Sequence, residues 1–437
     1  MRHWCMFMTA LLLAAGAAAA QSGLPPIRPL GPELARSTVT FRSVSQLVAL
    51  NDGRVLVSDA GLLVRMLDSS LSRTTVLLDS AAGQRNSAVS GAGGRGRGGG
   101  PSSFGMLLPF RGDSVLWFDG GAGVFLVVDS RGQVGRTMAP PAAGSGFSTT
   151  YGLFAAPTGS AIVFRSPWDQ MGGAFDLVET REVGRPFWFE DSLAVLRMDF
   201  ASRRIDTLAR AVGSSGSMVT RLASGSTASR LLAPFPFADD VAVTSDGTVA
   251  IFHAREYRID WIDHEGKRLP AAKLSYPWVR VSDEDRQRML DSINGPRVWR
   301  YDSLMAQRAA DSARTGAILT ITRIRATADG DVPERVPQPP PRPPALALPE
   351  QIPDFLPPTG TKAFLADADN RIWLRPNPVR GSDAGGGEVW HVIDRVRGVV
   401  DRVRIPAGTT IAGFGPGGVV YLARHDAGVA TLYKHRL

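Results

Sequence analysis

The feature of this chain that most constrains its fold is a repeat built from two kinds of strand. The first kind is a short apolar strand that follows a turn, and the second is a strand that usually ends in Asp. Six copies of the first lie at residues 53–59, 113–119, 159–165, 247–253, 370–375 and 418–424. Six copies of the second lie at residues 62–68, 123–129, 193–199, 257–263, 388–394 and 428–434. Because the two kinds alternate along the chain, each pair belongs to one repeated unit.

Each unit predicts four antiparallel strands. Another apolar stretch precedes the first strand through a tight turn such as Asp52-Gly53, and a further strand follows the Asp. The predicted fold is therefore all-β, a six-bladed β-propeller of four-stranded antiparallel sheets. The last unit ends after its third strand, at Leu437. We expect the strand-like segment Ser37 to Val44 to supply the missing strand and close the ring.

The repeated residues also carry a family resemblance. The turn and strand pattern Asp-Gly-x-Val-x-Val and the strand ending Asp-x-x-Gly, as in Asp263 to Gly266, resemble the six-bladed NHL-like and TolB-like propellers. The resemblance covers most of Ser37 to Leu437. From Ile352 onwards the chain resembles uncharacterised exported bacterial propeller proteins. The resemblance implies the architecture and no particular activity.

The N-terminus has the pattern of a secretory signal peptide. Arg2 and His3 precede an apolar run, and the small residues 17–20 suit cleavage after Ala20. We therefore expect a signal peptide at 1–20, a linker at 21–36 and the propeller at 37–437, with a helical and Pro-rich insertion at 270–358. The single cysteine, Cys5, lies in the signal, so the mature chain has no disulfide framework. The predicted location is extracytoplasmic, either periplasmic or secreted, with no membrane span after cleavage.

The positive charge of the chain does not indicate a nucleic-acid partner. The net charge is +8, but only four of the 49 basic residues are lysines and the arginines are spread along the sequence. No cluster of basic and aromatic residues marks a nucleic-acid footprint.

Insertions between the repeated strands are predicted to lie on one face of the propeller. They occupy residues 80–103, 166–191, 211–232, 270–358 and 376–387. Because successive strands alternate in direction, turns between second and third strands share a face with the links between blades. In repeat folds the insertion-bearing face is often the binding face. Within the longest insertion we expect a helix from Ser282 to Ile293, a second helix from Tyr301 to Arg314 and an extended segment from Val332 to Pro358.

Polar residues at the ends of the second strands are candidates for a ligand site at the mouth of the central channel. This ring comprises Asp59, Asp119, Arg165, His253, Arg375 and Arg424, and the inner strands add Asp239 and Lys362. Acidic residues on one arc and basic residues on the other suit a small polar or anionic ligand. The alternative is that these strand ends are polar because they meet water.

Motifs of enzymes do not occur in the sequence. The six histidines lack zinc spacing, and the chain has neither a Gly-x-Ser-x-Gly elbow nor a phosphate-binding Gly-Lys-Ser/Thr loop. We expect a non-enzymatic protein without a cofactor that binds a ligand or a protein partner. The resemblance leaves one alternative, a metal-dependent, lactonase-like hydrolase at the channel mouth, for which calcium is possible. The inner strands offer Gln46, Asp239, Asp240 and Lys362 for such a metal, which is not the set that gluconolactonase-type propellers imply.

Overall fold

A computed structural model describes residues 24–60, 63–79, 105–119, 123–141, 152–166, 186–189, 192–213, 217–221, 227–232, 235, 237–315, 320–327, 330–337, 352–377 and 386–437. The predicted signal peptide and the insertion at 80–103 lie outside these ranges.

Strands make up most of the described chain. Two N-terminal strands and the first three blades comprise β1 (Ile27–Pro29), β2 (Glu33–Arg36), β3 (Val44–Ala49), β4 (Val55–Asp59), β5 (Leu63–Leu67), β6 (Thr74–Asp79), β7 (Met106–Phe110), β8 (Ser114–Asp119), β9 (Val124–Val128), β10 (Val134–Met138), β11 (Leu153–Ala155), β12 (Ala161–Ser166), β13 (Pro186–Phe189), β14 (Ser192–Asp199) and β15 (Ile205–Val212). The remainder comprises β16 (Ser217–Arg221), β17 (Thr227–Leu232), β18 (Asp240–Val243), β19 (Val249–His253), β20 (Arg258–Ile262), β21 (Arg268–Leu269), the helix α1 (Asp283–Thr315), β22 (Thr320–Thr327), β23 (Gly330–Pro337), β24 (Thr359–Ala366), β25 (Ile372–Pro376), β26 (Val389–Asp394), β27 (Gly398–Arg404), β28 (Thr409–Gly415), β29 (Val419–Asp426) and β30 (Val429–Arg436).

Six of the sheets form the blades, which confirms the predicted propeller. From the inner to the outer strand they are β3-β4-β5-β6, β7-β8-β9-β10, β11-β12-β14-β15, β18-β19-β20-β21, β24-β25-β26-β27 and β28-β29-β30-β2. Pairing within each blade is antiparallel. Inner strands of successive blades contact one another from β28 to β3, then β7, β11, β18 and β24.

An apolar cluster fills the interface between every two neighbouring blades. Each interface contains buried side chains from both blades, and representative pairs in ring order are Leu56 with Trp117, Phe125 with Phe164, Val195 with Ile251, Phe252 with Phe364, Trp373 with Leu422, and Tyr421 with Leu67. Alternate residues of a second strand enter opposite interfaces, as Ile251 and Phe252 do on β19. The second strands are therefore apolar on both faces, and the ring closes between blades six and one.

The strand that closes the ring lies earlier in the chain than the sequence predicted. The fourth strand of blade six is β2, whose residues 33–36 pair antiparallel with β30. The expected segment continues along β30 only through Ser37, which bonds to Leu432, and Phe41, which bridges to Ala430. Val44 already belongs to β3, the inner strand of blade one. The N-terminal β1 also pairs in parallel with β27 of blade five, so the predicted linker at 21–36 includes two paired strands.

The repeated Asp is explained by the turn that joins the third and fourth strands. Oδ1 of Asp263 accepts hydrogen bonds from the backbone N–H groups of Glu265 (3.0 Å) and Lys267 (2.8 Å). Gly266 completes this turn at a φ of 88°, a conformation that favours glycine. The same carboxylate-capped turn recurs at Asp68, Asp129, Asp199 and Asp394. The sequence signature is thus the chemistry of a turn.

The described parts of the insertions contain their own secondary structure. β13 from the insertion at 166–191 pairs with β16 from the insertion at 211–232, so these two insertions meet. In the longest insertion, residues 279–281 pair with 354–356 through the hydrogen bonds of Val281 and Leu356. Leu290 of α1 packs with Val281 and Ile352. No helix among the described residues is both long and apolar enough to cross a membrane.

One helix replaces the two helices predicted for this insertion. The predicted start of the helix is confirmed, because α1 begins at Asp283 and the Ser282 hydroxyl caps it by accepting a hydrogen bond from the Asp285 N–H at 3.1 Å. The Asp285 carboxylate accepts one in return from the Ser282 N–H at 3.3 Å. The prediction of a break after Ile293 is wrong, since α1 continues through Pro296 to Thr315. A proline removes one hydrogen bond from a helix, and here it does not end the helix.

Candidate functional site

Asp239 lies directly before β18 and accepts hydrogen bonds from separate parts of the chain. Its carboxylate binds the backbone N–H groups of Val212 (3.0 Å) and Ala254 (3.0 Å) and lies 3.1 Å from Nδ1 of His253. Val212 ends the outer strand of blade three, and Ala254 follows the second strand of blade four. This buried side chain therefore fixes how blade three leads into blade four.

His253 lies between two carboxylates. Its Nε2 is 3.3 Å from Oδ2 of Asp260, on the side opposite Asp239. The hydrogen bond with Asp239 raises the pKa of His253 above its ordinary value, and burial opposes this rise. Asp260 also accepts hydrogen bonds from Arg258 at 2.6 Å and from Arg268 at 3.2 Å.

Arg165 extends this group towards blade three. Its Nη1 lies 3.7 Å from Oδ1 of Asp240 and donates to the backbone carbonyl of Asp239 at 3.4 Å. Burial raises the pKa of Asp240, and the charge of Arg165 opposes that shift. We refer to Arg165, Asp239, Asp240, His253 and Asp260 as the blade-four cluster.

Asp59 has a role in blade one similar to that of Asp239 in blade four. It accepts hydrogen bonds from the backbone N–H groups of Arg42 (2.7 Å) and Ser43 (3.2 Å), where the chain enters β3. Nη2 of Arg65 lies 3.0 Å from Oδ2, and the carboxylate is only 3% exposed. These contacts show that Asp59 stabilises the chain where it enters β3.

The contacts shown for the other predicted residues are with neighbours outside the predicted set. Arg375 pairs with Glu388 and lies 5.5 Å from the centre of the Trp390 ring, while Arg424 lies 5.6 Å from the ring of Tyr433. The backbone carbonyl of Asp119 accepts a hydrogen bond from Gly123 at 2.7 Å. Lys362 is exposed at an irregular point of β24, where its φ is 54°. Of the eight predicted residues, Arg165, Asp239 and His253 are brought together.

A cavity of about 590 Å³ lies beside blade five. We call it the blade-five cavity, and its lining residues are Leu24, Ile27, Ser275, Tyr276, Pro277, Arg375, Pro376, Asn377, Gly387, Glu388, Val389, His391 and Arg402. Residues 275–277 belong to the insertion at 270–358, and Pro376, Asn377 and Gly387 belong to the insertion at 376–387. Arg375 is the one predicted ring residue in this lining.

Two side chains of this cavity hold buried polar groups. His391 is 6% exposed, and burial together with the charge of Arg402 lowers its pKa to about 4, so its ring is neutral at pH 7. Arg402 donates from Nη1 to the backbone carbonyl of Pro25 at 3.3 Å. Its buried Nε has no hydrogen-bond acceptor among the described residues.

The sequence prediction missed His391 and Arg402, although the repeat contains a signal for the first. Three positions before the Asp that ends each third strand, or before its counterpart Lys434, the six units have Arg65, Leu126, Leu196, Asp260, His391 and Thr431. Leucine fills this position in two units, and a charged or ionisable side chain fills it in three. In blades one and four that side chain contacts the end of the second strand, through Asp59 with Arg65 and His253 with Asp260. Aligning the repeats therefore identifies His391 as an ionisable residue in a buried strand, at a position that leucine fills in two other units.

A second cavity, of about 460 Å³, lies between blades two and three on the side away from the insertions. Its lining includes Arg111 in the first turn of blade two and Arg203 in the last turn of blade three. Both arginines are exposed. The Arg203 guanidinium donates to the carbonyl of Pro140 at 2.5 Å.

The inner-strand residues considered for a metal have other partners. Oε1 of Gln46 accepts a hydrogen bond from the Leu107 N–H at 2.6 Å, which ties blade one to blade two. Asp239 and Asp240 belong to the blade-four cluster. Within the described ranges, no group of three or more His, Cys, Asp or Glu residues is arranged to hold a metal ion.

Comparisons with known proteins concern the fold. No protein-family model and no curated protein matches the chain. Among solved structures, it is similar to virginiamycin B lyase from Staphylococcus aureus, with 11% identity over 93% of this chain and 98% of that one and a TM-score of 0.35. It is also similar to a gluconolactonase from Xanthomonas campestris (9% identity, 95% and 99% covered, TM-score 0.34). A third is regucalcin, a calcium-binding protein from Agrobacterium tumefaciens (11% identity, 94% and 98% covered, TM-score 0.32). The chain is a six-bladed β-propeller. What these three proteins bind or catalyse belongs to them.

Proposed function

We propose that this protein is an exported, non-enzymatic propeller that binds a small organic ligand in the blade-five cavity. The main support for this proposal is that the residues lining the cavity come partly from the insertions. Two insertions contribute to it, at 270–358 and 376–387, and the sequence predicted that both lie on the binding face. Sites for small ligands are typically concave, largely apolar, and contain a few convergent polar groups.

The availability of polar atoms favours this cavity over the blade-four cluster. In that cluster both His253 nitrogens and the carboxylates of Asp239 and Asp260 already contact one another or the backbone. In the blade-five cavity, Arg375 and Glu388 pair with each other, and the charge of Arg402 is not balanced within the lining. A ligand can therefore supply a group that pairs with Arg402, whereas it would compete with existing bonds in the cluster.

Blocking the cavity tests the proposal. Val389 is half-buried in the lining, and Val389→Phe places a larger side chain there. We expect a small-molecule library, screened by saturation-transfer NMR, to yield compounds that bind the parent protein and not this variant. Val134→Phe, at an exposed position of β10, is the matched control and should leave binding unchanged. Compounds that bind equally to the parent and to the Val389→Phe variant would place the site elsewhere.

Export is supported by the N-terminal sequence pattern alone. Intact-mass measurement of the protein recovered from the cell envelope should give a chain that begins at Gln21. The metal-dependent hydrolase stays a prediction, and no contact among the described residues favours it.

A further inference from the structure

We infer that the ligand of the blade-five cavity is a monocarboxylate with an apolar body, held by Arg402 beside the ring of His391. This inference rests on the proposed function and adds the chemical class of the ligand.

Arg402 is a half-buried residue of the cavity lining. One end of its guanidinium is held in place, because Nη1 donates to the carbonyl of Pro25 at 3.3 Å. The adjacent carboxylate of Asp401 pairs with a different arginine, Arg28, whose Nε donates to it at 3.0 Å. A guanidinium matches the geometry of a carboxylate, and their charge-assisted hydrogen bonds are among the strongest in proteins. A carboxylate is therefore the ligand group whose geometry and charge best match the guanidinium of Arg402.

The charge of the cavity indicates one anionic group. Its ionised lining residues are Arg375, Glu388 and Arg402. Arg375 and Glu388 pair with each other, so the positive charge of Arg402 is not balanced within the lining. His391 adds no charge at pH 7, and its neutral ring can donate one hydrogen bond and accept another. A monoanion balances this charge, whereas an amine would add to it.

The walls of the cavity accommodate an apolar body. Leu24 and Ile27 line it on the N-terminal segment, and Val389 and Tyr276 line it on blade five and on the connection after blade four. The Tyr276 ring stacks on Tyr257 with 4.7 Å between centroids. Burial of apolar surface on these walls would contribute affinity in addition to the carboxylate contact.

Three compounds of similar size and different charge test the inference. The probes are phenylacetate, phenylacetamide and phenethylamine, titrated against the full mature chain at pH 7 by ligand-observed NMR. We expect phenylacetate to bind with a Kd of about 1 mM, phenylacetamide about tenfold more weakly, and phenethylamine not to bind. Arg402→Gln should weaken phenylacetate by about 10- to 100-fold and leave phenylacetamide unchanged. Arg136→Ala, which removes an exposed arginine of β10, is the charge control.

The outcomes separate the inference from the proposed function. Equal or tighter binding of the amide or the amine, with loss of binding in Val389→Phe, overturns the carboxylate assignment and retains the cavity as the site. Absence of phenylacetate binding also overturns the assignment, whatever the library screen yields. Equal loss of phenylacetate in Arg136→Ala and Arg402→Gln would show that only overall charge matters, which also contradicts it. Circular dichroism of each variant checks that the fold persists.

Discussion

Buried carboxylates connect successive blades at the positions where the chain passes from one unit to the next. Asp59 binds the backbone just before β3, and Asp239 binds the backbone on both sides of the entry to β18. Both are almost fully buried. A buried carboxylate that accepts several hydrogen bonds costs little, but its removal leaves buried N–H groups without acceptors.

Asp239→Ala should lower the free energy of unfolding by about 3 kcal/mol, because two backbone N–H groups and His253 lose their acceptor. Urea unfolding followed by tryptophan fluorescence measures this change. Glu256→Ala removes an exposed carboxylate that pairs with Arg258 at the surface, and should cost less than about 1 kcal/mol. Similar losses for the two variants would contradict the role assigned to Asp239.

His253 should make stability depend on pH in a defined direction. Its pKa is raised in the folded state, so folding gains from the protonated form. That gain is fully present below the unfolded-state pKa of about 6.5 and is lost as the pH rises through the folded-state pKa. The difference in unfolding free energy between the parent and His253→Gln should therefore shrink from about pH 5 to pH 9. His264→Gln, at an exposed position, should show little difference at any pH, and a constant gap for His253→Gln would refute the prediction.

Candidate residues such as Asp59 and Asp239 could be identified from the sequence. The groups that they bind could not. Polar residues at the ends of apolar strands are visible in the repeat, and six of the eight candidates are named for that reason, while the sequence pattern assigns the other two to inner strands. Whether such a residue meets a ligand or a backbone N–H depends on the chain that approaches it. The Asp59 carboxylate accepts hydrogen bonds from the backbone of residues 42–43, and the Asp239 carboxylate accepts one from Val212. The spacing of these residues along the sequence predicts neither interaction. His391 and Arg402 come together only because β26 and β27 are paired in a register that places them opposite each other.

Among the strands, the one that closes the ring could not be located from the sequence repeat alone. The sequence predicted that the N-terminal segment Ser37 to Val44 completes blade six. In the structure the strand that completes this blade is β2. The sequence favours residues 37–44 because they are strand-like and precede the first complete unit. Main-chain pairing with β30 nevertheless extends through Glu33–Arg36, which is polar because it forms an outer, largely exposed strand.

Ser37→Ala should weaken this closure. The Ser37 hydroxyl accepts a hydrogen bond from the buried N–H of Leu432 at 3.0 Å, and the substitution leaves that donor without a partner. We expect a loss of about 1–2 kcal/mol in the free energy of unfolding. Ser45→Ala, at an exposed position of β3, is the matched control and should change it by less than about 0.5 kcal/mol. Faster hydrogen exchange of β30 amides in Ser37→Ala alone would place the effect at the closure, and unchanged exchange would contradict it.

For the whole molecule, the six interfaces between blades explain why the fold could be predicted from so plain a pattern. The central residues of each second strand enter two interfaces, so that part of the strand must be apolar on both faces. Six such strands, separated by turns with a capping Asp, leave few arrangements other than a closed ring. The insertions follow no such rule, which is why α1 was predicted as two helices and the cavity beside blade five was not predicted.

The strand β2 and the C-terminal strand β30 pair in blade six, and this makes the closure testable by changing connectivity. Glu33 pairs with His435, and a side chain at Gly31 would lie 2.3 Å from the carbonyl oxygen of Arg436. A circular permutant that joins Leu437 to Pro32 through a short Asn-Gly turn, and opens the chain within residues 80–104, converts β30 and β2 into an ordinary hairpin. All six four-stranded blades are retained, and only β1 and the partly buried Leu30 are lost from the edge of blade five and its interface with blade six. We therefore expect one cooperative thermal transition within about 5 °C of the parent Tm. Deletion of residues 24–36 instead leaves the edge of β30 unpaired, so it should lower the Tm further and increase light scattering on heating. If the deletion is as stable as the permutant, β2 does not hold the ring together.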